Sequence, residues 1–277
     1  VVSQEQRRRQ LAREKFLRQQ QRRTQARRKA RVRNSVIASV LGVVVIAGVA
    51  LYTTGALKSD DKKTNTAADV KPSKAPDPCA KPAAGSVKKL TWKKEPAMTI
   101  DTSAKYSMKL ATTCGDIDIA LKTSAAPHTV NSFNFLAGQG FFDHSKCHRL
   151  VTSGIYVLQC GDPTGTGMGG PGYTLPDENL KDKSLKGNMY PAGTVAMANH
   201  YNPQTQQGRN SGSSQFFLVY QDSPLPPDYT PFGTVSDAGM KVLKKIAAAG
   251  AQAADPSTDN TAPNATVVIN KATVTKS

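Results

Sequence analysis

The stretch CHRLVTSGIYVLQCGD, residues 147–162, holds two short apolar runs on either side of Ser153-Gly154. Alternation of large apolar and polar residues on both flanks of a Ser-Gly pair reads as a β-hairpin. One strong cation, Arg149, sits inside the first run, where a half-buried strand has little use for a charge. The same hairpin texture recurs upstream in YSMKLATTCGDIDIALKT (106–123), centred on Cys114-Gly115. Further strands are expected at GTVAMAN, SQFFLVY, PFGTV and ATVVINKATV. Two helices complete the pattern. The first is SAAPHTVNSFNFLAGQG, with Ser124 as N-cap, Pro127 in the first turn, and Val130, Phe133 and Leu136 on one face. The second is DAGMKVLKKIAA, at about 237–248. A long Gly/Pro loop spans 161–192. Many short strands with only two helices predict a mainly β domain, its antiparallel sheet closed into a barrel so that no edge is left exposed.

Outside this domain the composition changes. Net charge is +17, but residues 1–33 hold eleven Arg and two Lys against Glu5 and Glu14, so most of the charge belongs to this arm. The segment from Asn34 to Leu57 carries no charge and is long enough to cross a bilayer as a helix. Its cationic N-terminal flank places the arm in the cytoplasm and the remainder of the chain outside. A cleaved signal peptide fits less well, because the basic region is too long and no A-x-A site follows the apolar run. Beside a membrane span, the arm's expected partner is anionic lipid. Nucleic acid is not expected, since Phe16 is the arm's one aromatic residue. Residues 58–86, polar and rich in Pro, Ala and Lys, read as a disordered linker. The expected organisation is therefore a basic arm (1–33), a transmembrane helix (34–57), a linker (58–86) and a barrel domain (87–277).

Four cysteines, Cys79, Cys114, Cys147 and Cys160, follow the apolar segment. An even number in an oxidising compartment suggests disulfides, with three pairings possible. Cys147 and Cys160 can face each other across the hairpin, which would leave Cys79 to join Cys114. A metal site built from His144, Cys147, His148 and Cys160 lacks the paired two-residue gaps of structural zinc sites, and none is expected.

Several enzyme classes find no support. GTGMGG (165–170) matches a dinucleotide-binding pattern, but Pro171 and Gly172 stand where the helix must begin. There is no G-x-S-x-G elbow and no H-E-x-x-H. Asp177 and Glu178, in PDEN, read as a turn. What remains is Arg149, with Tyr156 and Gln159 on the partner strand and Gln215 and Phe217 in SQFF. These supply a fixed cation, amide hydrogen-bonding groups and a small apolar floor, without a base or nucleophile. Such a site suits an extended peptide with a proline ring.

At this point the chain resembles the cyclophilin-type peptidyl-prolyl cis-trans isomerases, in particular membrane-anchored bacterial ones. The resemblance covers roughly residues 104–275 and rests on HR followed by YVLQCGD, GTGMGGPGY, PDENL, GTVAMAN, SGSSQFF and PFGTV, in family order. It implies an eight-stranded antiparallel barrel capped by two helices, and an isomerase acting on X-Pro bonds of proteins outside the cytoplasm without a cofactor or metal. Arg149 matches the catalytic arginine and Gln159 the glutamine that orients it. Tyr156, Val157, Gly167, Ala198, Asn199, His200, Gln215, Phe217, Leu225 and Tyr229 fall at substrate-binding positions. Proline-containing polypeptides are the implied partners, with cyclosporin-like ligands as further binders. The chain departs from the family pattern in a longer hairpin tip, in His200 after MAN, in the insertion YNPQTQQGRNSG (201–212), and in Pro224 where a Trp is usual. A non-catalytic peptide-binding or chaperone module on the same fold is the alternative reading.

Overall fold

The structure, a computed structural model, describes residues 76–255 and 260–276. The basic arm and the apolar run 34–57 lie outside the described residues. Among those described, no helix is long and apolar enough to cross a membrane.

The domain is mainly β, with two helices. Its strands are β1 (Tyr106–Thr112), β2 (Gly115–Leu121), β3 (Ser145–Lys146), β4 (Arg149–Ser153), β5 (Ile155–Cys160), β6 (Met189–Tyr190), β7 (Thr194–Met197), β8 (Phe216–Val219), β9 (Ser223–Pro224), β10 (Pro231–Val235) and β11 (Val268–Lys276). The helices are α1 (Pro127–Gly138) and α2 (Asp237–Ala248). β6 and β9 pair with each other, apart from the main sheet. The other nine strands form one antiparallel sheet in the order β3-β11-β1-β2-β10-β7-β8-β5-β4.

The closed barrel is corrected by this order. β3 and β4 are the two edges of the sheet, yet only Cys147 and His148 separate them in the chain. The sheet must therefore curl until its ends meet, but the two edges form no ladder with each other. An irregular segment bonds the β4 edge at Leu150 instead. Leu150 N donates to Thr261 O at 2.7 Å, and Thr261 Oγ1 donates to Leu150 O at 2.6 Å, while Cys147 N, donating to Val267 O at 3.0 Å, continues the β3–β11 pairing. The sheet is thus a curled half-barrel whose β4 edge is covered at Leu150 by an irregular segment.

Period-two alternation turns Met108, Leu110, Ile117 and Ile119 into the sheet's interior, where all are buried. They meet an aromatic cluster centred on Phe133 of α1, with ring centroids 4.6 Å from Phe232, 5.3 Å from Phe142 and 5.5 Å from Phe216. The α1 N-terminus differs from expectation, because Ala126 rather than Ser124 is the cap residue and gives no side-chain bond. Glu178, from the PDEN loop, supplies the acceptors. Its carboxylate accepts from His128 N at 3.0 Å, Thr129 N at 2.9 Å and Thr129 Oγ1 at 2.8 Å. A carboxylate at a helix N-terminus satisfies orphan amides and opposes the helix dipole. In α2, Ser236 Oγ accepts from Gly239 N at 3.1 Å, and Leu243 and Ile246 are buried.

Both disulfides pair as the hairpin reading prefers, Cys147 with Cys160 and Cys79 with Cys114. Cysteines so joined are not free as thiolate ligands, which removes the metal alternative. Cys79 lies on an extended segment, read from the sequence as the end of the linker, that lies against the domain. Ala80 N donates to Thr113 O at 2.8 Å, and Ala83 N to Asn270 Oδ1 at 3.0 Å. Further along, Trp92 N donates to Pro171 O at 2.8 Å while the indole rests edge-on against Phe135, centroids 5.1 Å apart.

Candidate functional site

The ladder register puts Arg149 opposite Gln159, Gln159 opposite Phe217, and Phe217 opposite Ala196. Four neighbouring strands thus contribute one row of side chains to a single face of the sheet. Two residues along, Val151 faces Val157, and at the hairpin tip Ser153 faces Ile155. This face is the side away from the Phe133 cluster. It carries its own apolar group of Val157, Tyr190, Ala196, Phe217 and Val219, flanked by Ile155, Ala198, Leu225 and Tyr229.

A cavity of about 150 Å³ opens on this face. Its apolar lining comes from Ile155, Val157, Phe217, Leu225 and Ala198, with the Tyr229 ring edge-on to Phe217 at 5.5 Å between centroids. Arg149, Gln159 and Asn199 supply its polar side. A volume of this order has room for a small ring.

A chain of side-chain bonds backs the cation. Arg149 Nη1 donates to Gln159 Oε1 at 3.3 Å, and Gln159 Nε2 donates to Gln215 Oε1 at 2.9 Å. Gln215 Nε2 donates in turn to Gly167 O at 3.0 Å and Gly169 O at 2.9 Å. The loop bearing those carbonyls is wound around Asp162, which is fully buried. Its carboxylate accepts from Thr164 N at 2.7 Å, Thr164 Oγ1 at 2.7 Å, Thr166 N at 3.0 Å and Gly167 N at 2.6 Å. Burial alone would raise the Asp162 pKa, but these hydrogen bonds outweigh it and hold the carboxyl below its ordinary value.

The opposite rim is fixed by backbone bonds. Asn199 Nδ2 donates to Asp228 O at 2.8 Å, Tyr190 OH donates to Tyr229 O at 2.7 Å, and Tyr229 N donates back to Tyr190 OH at 3.1 Å. Burial pushes the Tyr229 phenol up, Asp228 adds to the shift, and Arg149 opposes it. The ring is therefore a neutral wall at physiological pH. Behind Arg149 lies His148, which is buried and whose ring nitrogens make no hydrogen bond among the described residues. Burial lowers its pKa, Asp162 opposes this, and Arg149 adds to the lowering, so the imidazole is neutral at pH 7. Nothing in the cavity is arranged as a nucleophile with its base. Its chemistry is that of a positioned cation above an apolar slot.

Of the residues singled out from the sequence, eight line the cavity: Arg149, Val157, Gln159, Ala198, Asn199, Phe217, Leu225 and Tyr229. Four do not. The alternation of β5 turns Tyr156 away, and its ring packs on Tyr220 with centroids 5.9 Å apart. Gly167 acts through its backbone, as a donor to Asp162 and an acceptor for Gln215. His200 and Gln215 line an adjoining groove with Met168, Gly169 and Ser211. The sequence reading missed Ile155, although counting back by twos from Gln159 reaches it. It also missed Asp162, whose Thr at the second and fourth following positions is the pattern of a side chain binding its own backbone.

Comparison with known proteins agrees with this geometry. The family model described as cyclophilin type peptidyl-prolyl cis-trans isomerase/CLD matches residues 107–274. A probable peptidyl-prolyl cis-trans isomerase B of Mycobacterium leprae is 48% identical over 155 residues, covering 53% of this chain and 50% of the relative. The chain thus spans about half the length of that relative. A peptidyl-prolyl cis-trans isomerase of Synechococcus elongatus is 37% identical over 139 residues, covering 50% of this chain and 86% of the relative. Among solved structures, a Cryptosporidium parvum cyclophilin type peptidyl-prolyl cis-trans isomerase is 26% identical, with a TM-score of 0.50 over 62% of this chain and 99% of its own. With most of the described domain inside the family match, and the arginine, glutamine and phenylalanine of the shared motifs in one row across the sheet, the chain belongs to the cyclophilin-type peptidyl-prolyl cis-trans isomerase family.

Proposed function

We propose that the protein is a peptidyl-prolyl cis-trans isomerase that acts on X-Pro bonds of polypeptides outside the cytoplasm. The observation that carries this reading is Arg149, tethered to Gln159 at 3.3 Å, at the side of a cavity walled by Phe217, Leu225 and Tyr229. The barrier to rotation about a peptide bond is ~18–20 kcal/mol because twisting breaks amide resonance. In the twisted state the prolyl nitrogen regains its lone pair and accepts a hydrogen bond that the planar form does not. Arg149 donating to that nitrogen binds the transition state better than the ground state, which is the requirement for catalysis.

Lowering a ~100 s isomerisation to ~1 ms takes about 7 kcal/mol. A charge-assisted hydrogen bond supplies roughly 1.5–3 kcal/mol of this. The rest falls to the apolar lining, which strips water from the amide, and to Asn199 on the cavity's polar side, which orients the flanking backbone. The guanidinium stays charged at every working pH.

The test is cis-trans exchange of a short Ala-Pro peptide, followed by NMR with the full chain in detergent. The wild type accelerates exchange and Arg149→Ala loses about 100-fold of it, a loss within the reach of one charged contact. A wild type no faster than buffer sinks the proposal. Peptide shift changes without exchange would instead indicate the non-catalytic binding module.

The placement outside the cytoplasm rests on the uncharged run 34–57 behind its basic arm, and on two disulfides, which persist in oxidising compartments. On this reading the protein is a membrane-anchored bacterial type, its arm on anionic lipid. Protease added to intact cells then removes the domain and spares the arm.

A further inference from the structure

The insertion 201–212 is folded tightly on itself. Asn202 N donates to Gln207 O at 2.8 Å, and Asn202 Oδ1 accepts from Gln204 N at 2.9 Å. Gly208 has a φ of +85°, and a Cβ there would overlap the carbonyl oxygen of His200. Ser211 closes the loop, accepting from His200 N at 2.8 Å and donating to Gly208 O at 2.5 Å. This construction aims Arg209 back at the domain rather than out into water.

The Arg209 guanidinium lies 3.4 Å over the Tyr201 ring. One nitrogen, Nη2, donates to Asp228 Oδ1, and Nη1 reaches Asp177 Oδ2 at 3.5 Å. The side chains of Asp177 and Asp228 are only 9% and 15% exposed, and the Arg209 guanidinium is the cation that bridges the two carboxylates. Asp228 is also the residue whose carbonyl holds Asn199, and Tyr229 follows it in the chain. The insertion thus reaches the cavity through one charged contact at its rim.

We propose that Arg209 is a positioning residue for substrate binding. By clamping Asp228 against Asp177, it holds the Asn199–Tyr229 rim at the spacing that grips the peptide beside the proline. It touches neither the ring nor the rotating bond. The inference rests on the isomerase reading and names the residue that sets how tightly that site binds.

The experiment measures kcat and KM by NMR exchange over a range of Ala-Pro peptide concentrations, using the full chain in detergent. Arg209→Ala is expected to raise KM about tenfold, the size of one charge-assisted hydrogen bond, with kcat within about twofold of wild type. Arg209→Lys is expected to recover part of the KM, since a lysine keeps the charge but not the fork that spans two carboxylates. A lowered melting temperature with unchanged KM would mean that Arg209 is merely structural, and overturns the proposal. If Arg209→Ala does not fold, Arg209→Lys decides, and a wild-type KM there also overturns it. A wild type without exchange activity refutes the isomerase reading itself. An active wild type beside Arg209 variants of normal KM refutes only this inference.

Discussion

Gly169→Ala should damage the site without placing an atom near the substrate. A Cβ built on Gly169 would overlap Asp162 Oδ1, with Thr164 Oγ1 only 2.8 Å away. Asp162 is buried and bonded on both oxygens, so its carboxylate cannot swing aside without losing partners. Displacing Oδ1 breaks the bonds from Thr164 N and Thr164 Oγ1, both 2.7 Å long. Two charge-assisted bonds at ~1.5–3 kcal/mol each set an upper limit of about 6 kcal/mol, and relaxation of the loop brings the expected cost to about 3 kcal/mol. For a domain of this size that lowers the melting temperature by ~6–12 °C.

The activity should fall too, for a reason the same geometry supplies. Gly167 O and Gly169 O are the acceptors that orient Gln215, and Gln215 orients Gln159, which holds Arg149. Loss of one link frees the guanidinium to leave its productive pose, a loss of about tenfold in kcat/KM if one hydrogen bond's worth of orientation goes. Calorimetry and the peptide exchange assay read the two effects on one sample. A variant that melts within about 2 °C of wild type (about half a kcal/mol at this size) and keeps its kcat/KM would refute the claim that Asp162 organises the polar side of the cavity.

Three further outcomes are expected. Ile155→Ala should raise KM several-fold, as a lost cavity wall does, while Tyr156→Phe leaves kcat and KM unchanged; the reverse result in the exchange assay would mean the β5 register is wrong. Replacing Cys79 and Cys114 by Ser should cost about 4 kcal/mol and replacing Cys147 and Cys160 about 3 kcal/mol in urea unfolding, the order following the larger loop closed by the first pair. His148 refuses in the folded state a proton that the unfolded chain takes up near the ordinary 6.5, so its contribution to stability is full above that pH and is lost as pH falls through the folded value. Asp162 adds a second loss below the ordinary 3.8. Urea unfolding at about pH 7.5 and about pH 5 should show the first loss in wild type and not in His148→Gln; equal losses in the two proteins would refute it.

The parts of this molecule legible in the sequence are those encoded locally. Alternation about Ser153-Gly154 gives the hairpin, its register brings Arg149 opposite Gln159, and the same pairing puts Cys147 and Cys160 within reach of each other. The parts not legible depend on residues distant in the chain. Glu178 caps α1 from about fifty residues downstream, and no local pattern announces that. Where the sheet stops short of closure, Thr261 bonds Leu150, and a segment reading NTAPNATV (260–267) gives no sign that it will meet a strand edge. Tyr156 and Ile155 show a different failure. Family position favoured the aromatic residue, whereas strand geometry permits only every second residue of β5 to face the cavity, and Ile155 has the parity of Gln159.

That division bears on how the site works. On the proposed mechanism, a cation that binds a twisted amide better than a flat one cannot follow the substrate as it rotates, so its position has to be set beforehand. The sheet does this for the row Arg149–Gln159–Phe217, and Thr261 bonds the edge strand at Leu150, the residue next to Arg149. The departures read from the sequence fall instead outside the row, at the hairpin tip, at His200, in the insertion that carries Arg209 and at Pro224 of β9. On the proposed function, changes there would alter which peptides are gripped and how tightly, while the geometry above the rotating bond stays with the strands. Substitutions in the row should therefore act on kcat, those in the surrounding loops on KM, and Gly169→Ala, which reaches the row through Asp162 and Gln215, should behave as a member of the row although it lies in a loop.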